Sequence, residues 1–111
     1  MILEKAVETY GKDMQLTVAV EEFSELTKEI CKNKRGSDNR DNIIEEIADC
    51  YIMLDQIKII FDITPSELSR EVKRKLRRLA GRLYNVADYG AANKAEFPKF
   101  EFKESENDDG N

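Results

Sequence analysis

The sequence predicts an all-α protein, a bundle of about four helices in each chain that homo-oligomerisation completes. The chain holds only 5 Gly and 2 Pro in 111 residues, so few positions interrupt regular structure. Charged residues make up 37% of the chain and aromatic residues only 8%, which is typical of helical domains. Apolar residues also recur at steps of three and four through most of the chain, and this is helical periodicity.

The chain is predicted to begin with a short helix and to continue with a long one. The first is predicted over about Ile2 to Tyr10, ending near Gly11. The second is predicted over about Asp13 to Lys34, with Asp13 as its capping residue, and the polar segment 35–41 follows as a loop. The apolar residues of the second helix lie three or four positions apart, at Leu16, Ala19, Phe23, Leu26 and Ile30.

The third helix, predicted over about Asn42 to Phe61, is apolar on nearly every face. Such a helix is expected to be central and buried. One short chain cannot cover it on all sides, so we expect a homodimer or homotetramer to complete the bundle.

The fourth helix is predicted over about Pro65 to Tyr84. Thr64 is its expected capping residue, Pro65 occupies the first turn, and Glu67 completes a capping box. Residues 1–85 are therefore predicted to form the helical domain, and residues 86–111 an acidic, flexible tail.

Composition excludes several classes of protein. The chain has no His, which removes His-based metal sites and His general bases. Its two cysteines, Cys31 and Cys50, fit no metal-binding spacing and are expected to be reduced thiols. No apolar run approaches the length needed to cross a bilayer, and no signal-peptide pattern opens the chain. We therefore expect a soluble, cytoplasmic protein without a membrane partner.

Two pairs of carboxylates are the strongest functional signal. Glu22 and Glu25 lie three positions apart on the second helix, and Glu46 and Asp49 repeat that spacing on the third. Asp49 stands within an apolar run, where burial of an ionised carboxylate is costly without compensation. Because a short loop joins the two helices, they run antiparallel, and the four carboxylates can converge between them.

Converging carboxylates repel one another, and a divalent cation relieves that repulsion. Oxygen ligands without His or Cys favour Mg²⁺, Mn²⁺ or Ca²⁺ over Zn²⁺, and no Ca²⁺-binding loop spacing is present. Each pair alone is also compatible with a solvated acidic helix face, which is the role expected of Glu21, Glu29 and Glu45.

The fourth helix is strongly basic. It carries seven basic residues and one acid between Arg70 and Arg82, although the whole chain has a net charge of −5. Lys75, Arg78 and Arg82 share one face. This face fits a solvated helix, a small-molecule phosphate site or a nucleic-acid patch, and the acidic cluster makes nucleic acid the least favoured.

The two acid pairs and their framing resemble the MazG-like all-α nucleoside triphosphate pyrophosphohydrolases. The similarity lies in AVEEFSELTKEI (19–30), IIEEIADCYIMLDQIKIIF (43–61) and ITPSELSREVKRKLRRL (63–79), with 20 residues between the two acid pairs. It covers about residues 3–84, and the Lys75-Leu76-Arg77-Arg78 step resembles one that recurs in small members of the family.

The resemblance implies a multi-subunit helical bundle that cleaves a ribo- or deoxynucleoside triphosphate to its monophosphate and pyrophosphate with Mg²⁺, or Mn²⁺ in its place. Such an activity is consistent with nucleotide-pool sanitation. Carried over, it makes Glu22, Glu25, Glu46 and Asp49 the catalytic metal ligands and Lys75 and Arg78 phosphate contacts. Gln15, about two turns before Glu22, becomes a candidate nucleotide contact. The alternative function is a non-catalytic interaction module that binds a polyanion or a protein through the basic helix 70–82.

Overall fold

The computed structural model describes residues 1–84, which form four α-helices. These are α1 (Ile2–Tyr10), α2 (Lys12–Lys34), α3 (Arg40–Ile60) and α4 (Pro65–Tyr84). No strand occurs in this part of the chain, which confirms the predicted all-α class. The predicted tail over residues 86–111 lies outside the described residues. Within residues 1–84, no helix combines the length and apolar content that a bilayer crossing requires.

The helix boundaries agree with the sequence to within two residues, but the capping assignment of Asp13 does not. Gly11 ends α1 with a φ of 91°, a conformation that favours glycine, and α2 begins at the next residue. Asp13 therefore falls inside the first turn of α2 and caps nothing, so its predicted role is wrong. At the start of α3 the capping position is held by Asn39, whose side chain forms no cap hydrogen bond.

The capping box at the start of α4 is confirmed. The backbone N–H of Glu67 donates to Thr64 Oγ1 at 3.2 Å, and the backbone N–H of Thr64 donates to Glu67 Oε2 at 2.9 Å. That second hydrogen bond holds the pKa of Glu67 below its ordinary value. Two backbone donors that the helix cannot use internally are thereby satisfied.

The chain divides into two compact units, Met1–Asp62 and a second that begins at Ile63. In the first unit, α2 and α3 form an antiparallel hairpin, and α1 packs against both. Gly36, with a φ of 105°, allows the turn between α2 and α3. The buried apolar core of this unit is small, namely Val7, Ala19, Cys50, Met53 and Ile60.

The third helix carries apolar residues on a second, exposed face. Ile44, Ile47, Tyr51 and Leu54 are 49%, 40%, 69% and 48% exposed, and their spacing places them in one stripe. The sequence predicts complete burial of α3, and within one chain this burial is only partial. We call these four residues the α3 stripe.

Candidate metal centre

Three carboxylates meet where α2 packs against α3. Glu22 of α2 and Glu46 and Asp49 of α3 each place one oxygen within 4.8 Å of the other two. The spacing of three residues puts Glu46 and Asp49 on one face of α3, and the antiparallel hairpin brings Glu22 opposite them. We call these three residues the carboxylate cluster.

The electrostatics of the carboxylate cluster disfavour full ionisation. Burial raises the pKa of Glu22 above its ordinary value, and so do a hydrogen bond from its protonated carboxyl to Asp49 and the negative charge of Asp49. Burial also raises the pKa of Glu46, and the charges of Asp49 and Glu25 add to that shift. The cluster therefore has the charge pattern that a bound cation would relieve.

Glu46 shows the clearest sign of an unmet interaction. Its Oε2 is buried, and no hydrogen-bond partner for it exists among the described residues. Buried polar atoms are nearly always paired, because an unpaired one forfeits the interactions it had with water. The sequence predicts Asp49 as the buried acid, and this is wrong, since Asp49 is exposed and Glu46 is half-buried.

Glu25 is the fourth predicted ligand. It is exposed and lies outside the three-oxygen cluster. Its negative charge nevertheless contributes to the raised pKa of both Glu22 and Glu46, so it is an electrostatic neighbour of the cluster. The structure thus brings three of the four predicted ligands together and leaves Glu25 one helical turn from Glu22.

A buried thiol, Cys50, contacts the backbone of one cluster residue, Glu22. Cys50 is 5% exposed, and its Sγ–H donates to the backbone carbonyl of Glu22 at 3.6 Å. Burial raises the pKa of this thiol, and the charges of the three carboxylates add to the shift. Cys50 is therefore a protonated donor that joins α3 to α2, and a thiolate nucleophile is disfavoured there.

A second buried acid lies at the loop end of the hairpin. Glu29 is 7% exposed, so its expected place on a solvated face is wrong. The side-chain amide of Asn39 donates to Glu29 Oε1 at 2.8 Å and to the Glu29 carbonyl at 2.9 Å, and Lys32 Nζ lies 3.2 Å from Oε2. The hydrogen bond from Asn39, followed by the hydrogen bond and the positive charge of Lys32, lowers the pKa of Glu29 below its ordinary value. This buried carboxylate is compensated, unlike Glu46.

A buried pair of side-chain amides lies on the other side of the carboxylate cluster from Glu29. Gln15 and Gln56 are 6% and 4% exposed, and Gln15 Nε2 donates to Gln56 Oε1 at 2.7 Å. The predicted contact between Gln15 and a nucleotide stays a prediction. Sequence reasoning missed Gln56 and Asn39, because each pairs with a residue across the hairpin and no local pattern reports that pairing.

The two predicted phosphate contacts lie on α4, in the second unit. Lys75 and Arg78 are exposed and, with Arg82, line an open groove of about 400 Å³ on that helix. Leu76 and Leu79 form its apolar wall. Of the neighbouring basic residues, Arg74 is already bonded to Glu71. The groove has the composition of an anion-binding surface.

Comparison of the chain with protein-family models, with curated proteins and with solved structures gives no match. The fold and the site define the class of protein to this extent: an all-α chain with a carboxylate cluster between two antiparallel helices.

Proposed function

We propose that this protein is a Mg²⁺-dependent nucleoside triphosphate pyrophosphohydrolase. It would convert a ribo- or deoxynucleoside triphosphate to the monophosphate and pyrophosphate, in the service of nucleotide-pool sanitation. The observation that carries the proposal is the carboxylate cluster, with a buried and unpartnered oxygen on Glu46. The resemblance of residues 3–84 to the MazG-like family supports the same activity.

The donor set fits Mg²⁺, with Mn²⁺ as the natural substitute. All three ligand atoms are carboxylate oxygens, the donors that hard divalent cations prefer. Mg²⁺ in such sites keeps several waters and takes further oxygens from substrate phosphates. Glu22, Glu46 and Asp49 would hold the cation, and Glu25 would join them from the next turn of α2.

The chemistry asks little of the side chains beyond positioning and charge. A bound cation would neutralise charge on the phosphates and would help to activate a water. Water adds across the bond between the α and β phosphoryl groups, which releases pyrophosphate. One of the four carboxylates would accept the proton that the attacking water loses.

The remaining contacts are proposed on the strength of the resemblance. Lys75 and Arg78 would contact the substrate phosphates, and the exposure of both side chains is compatible with that role. Gln15 is the proposed nucleotide contact, although its amide is engaged with Gln56 in the structure.

A homo-oligomer is part of the same proposal. The α3 stripe presents four large apolar side chains on the face of α3 away from the carboxylate cluster. Contiguous exposed apolar surface of this kind favours association with a second copy. A homodimer or homotetramer would bury the stripe.

Two substitutions test the assignment of the cluster. Glu46→Gln and Asp49→Asn keep the side-chain shape and remove one negative charge each. Both are expected to abolish cation-dependent pyrophosphate release and to leave the helical circular-dichroism signal unchanged. Glu45→Gln is the matched control, because Glu45 is the exposed neighbour of Glu46 and lies outside the cluster. Unchanged turnover in both site variants would exclude this ligand set.

The alternative function is a non-catalytic module that binds a polyanion through the basic helix. The groove lined by Lys75, Arg78 and Arg82 is the observation that favours it. This alternative predicts salt-sensitive binding to nucleic acid and no cation-dependent turnover. A gel-shift titration at low and high salt, beside the hydrolysis assay, separates the two functions.

A further inference from the structure

Polar residues occur at every seventh position along the face of α2 that meets α3. They are Gln15, Glu22 and Glu29, and all three contact polar partners on or next to α3. Gln15 pairs with Gln56, Glu22 meets Asp49 in the carboxylate cluster, and Glu29 accepts from Asn39, the residue before α3. Because α2 and α3 are antiparallel, these three pairs form successive layers of one seam between them.

The middle layer differs from the two that flank it. It is the carboxylate cluster, in which like charges repel and Glu46 Oε2 has no partner among the described residues. When these carboxylates are ionised and no cation is bound, their repulsion disfavours close packing of α2 against α3, and within the layer only the hydrogen bond from Cys50 to the Glu22 carbonyl is shown to oppose it. Each flanking layer lies two helical turns away, about 10 Å along the axis, and joins the helices by buried hydrogen bonds.

We propose that the two flanking layers are clamps that keep the carboxylate cluster assembled before the cation binds. The loop-side clamp is Asn39 on Glu29, and the far clamp is Gln15 with Gln56. Preorganised ligands bind a cation more tightly, because binding does not first have to draw the two helices together. Asn39 and Gln56 are positioning residues in this account. The inference rests on the proposed cation site.

The loop-side clamp uses the side chain of Asn39 to join the two helices. Asn39 occupies the capping position of α3, yet its side chain forms no cap hydrogen bond. Its amide donates instead to both the carboxylate and the carbonyl of Glu29, and its Oδ1 accepts from Asn33 at 3.3 Å. One buried side chain thereby ties the last turns of α2 to the first turn of α3.

The test is a titration of the full chain with Mn²⁺, in which isothermal calorimetry measures the binding. It is run on four proteins. These are the natural sequence, Asn39→Ala, Gln56→Leu and the control Val7→Ala. Val7 is a buried residue of α1 and is not one of the seam residues, so its truncation is a control for loss of stability in the first unit. Urea unfolding in EDTA ranks the stability of the four proteins, and the titration is run where all of them are folded.

Both clamp variants are expected to bind Mn²⁺ about tenfold more weakly, the loss typical when residues that support metal ligands are removed. Val7→Ala is expected to keep the natural affinity despite its lower stability. In the hydrolysis assay, the cation concentration for half-maximal rate rises in both clamp variants, and in Asn39→Ala kcat at saturating cation is unchanged.

The outcomes separate this inference from the proposed function. If the natural chain binds Mn²⁺ and both clamp variants bind it equally well, the clamps are overturned and the cation site stands. If affinity falls equally in Val7→Ala, the effect is general destabilisation, and the clamps are again overturned. If the natural chain binds no Mn²⁺, the proposed site and the clamps fall together. Should Asn39→Ala fail to fold, Gln56→Leu decides alone.

Discussion

The buried amide pair yields a prediction whose size follows from the structure. Gln15 and Gln56 are 6% and 4% exposed and share a 2.7 Å hydrogen bond. Replacing Gln56 with Leu leaves the amide of Gln15 buried without that partner. Such an orphaned polar group costs about 1–3 kcal/mol, and we expect a loss of about 2 kcal/mol in the free energy of unfolding.

The double substitution Gln15→Leu with Gln56→Leu is expected to behave differently. It removes both polar partners and puts two apolar side chains of similar size in contact across the seam. Replacing both members of a buried polar pair is often neutral or stabilising, so we expect the double variant to match the natural chain or exceed it. The coupling energy between the two positions is then at least about 1 kcal/mol.

Urea unfolding in EDTA, monitored by circular dichroism, measures the free energy of unfolding for each protein of this double-mutant cycle. For a domain of this size, the single variant should also lose about 10 °C in Tm. A loss near zero in the single variant, or additive losses in the double variant, would refute the reasoning. Either result would mean that the two amides do not depend on each other.

Two further predictions follow from the titrating groups. Because the pKa values of Glu22 and Glu46 are raised on folding, the folded protein binds more protons than the unfolded chain above their ordinary value of 4.5. The metal-free protein should therefore gain thermal stability as the pH falls from 7 towards 5, and Glu46→Gln should flatten that dependence. Below 4.5 the trend reverses, since the lowered pKa of Glu29 makes its protonation destabilising there. A flat Tm profile in EDTA would contradict this account. A disulfide exchange reagent should modify the exposed Cys31 at once and the buried Cys50 only after unfolding, and rapid reaction of two thiols would contradict the burial of Cys50.

The sequence predicted the helices well because their signals are local. The capping box at Thr64 and Glu67 and the loop around Gly36 each depend on a few neighbouring residues. The capping role of Asp13 failed for a physical reason. Gly11 takes a positive φ and lets α2 begin one residue sooner than the side-chain signal indicated.

The sequence predicts which residues form the candidate site better than it predicts which of them are buried. The spacing of three residues identifies which acids share a face, and the antiparallel hairpin then brings Glu22 to Glu46 and Asp49. Which acid is buried depends on how the two helices rotate against each other. That rotation exposes Asp49 and encloses Glu46 Oε2, and no local pattern reports it.

The polar seam depends on pairing across the hairpin and was therefore hidden in the sequence. Glu29 belongs to an acid-rich helix and looks solvated until its partner is known. Asn39 and Lys32 supply that partner, one from the loop and one from the same helix. The seven-residue spacing of polar positions on α2 becomes informative only once the register with α3 is fixed.

The most direct test of the central claim is pyrophosphate release by the natural chain from a panel of ribo- and deoxynucleoside triphosphates. Each reaction is run with Mg²⁺, with Mn²⁺ and with EDTA. The account predicts release from one or a few substrates with either cation and none in EDTA, and the result would also name the preferred base and sugar. Folded protein that releases no pyrophosphate from any substrate, or that releases it equally in EDTA, would contradict the account.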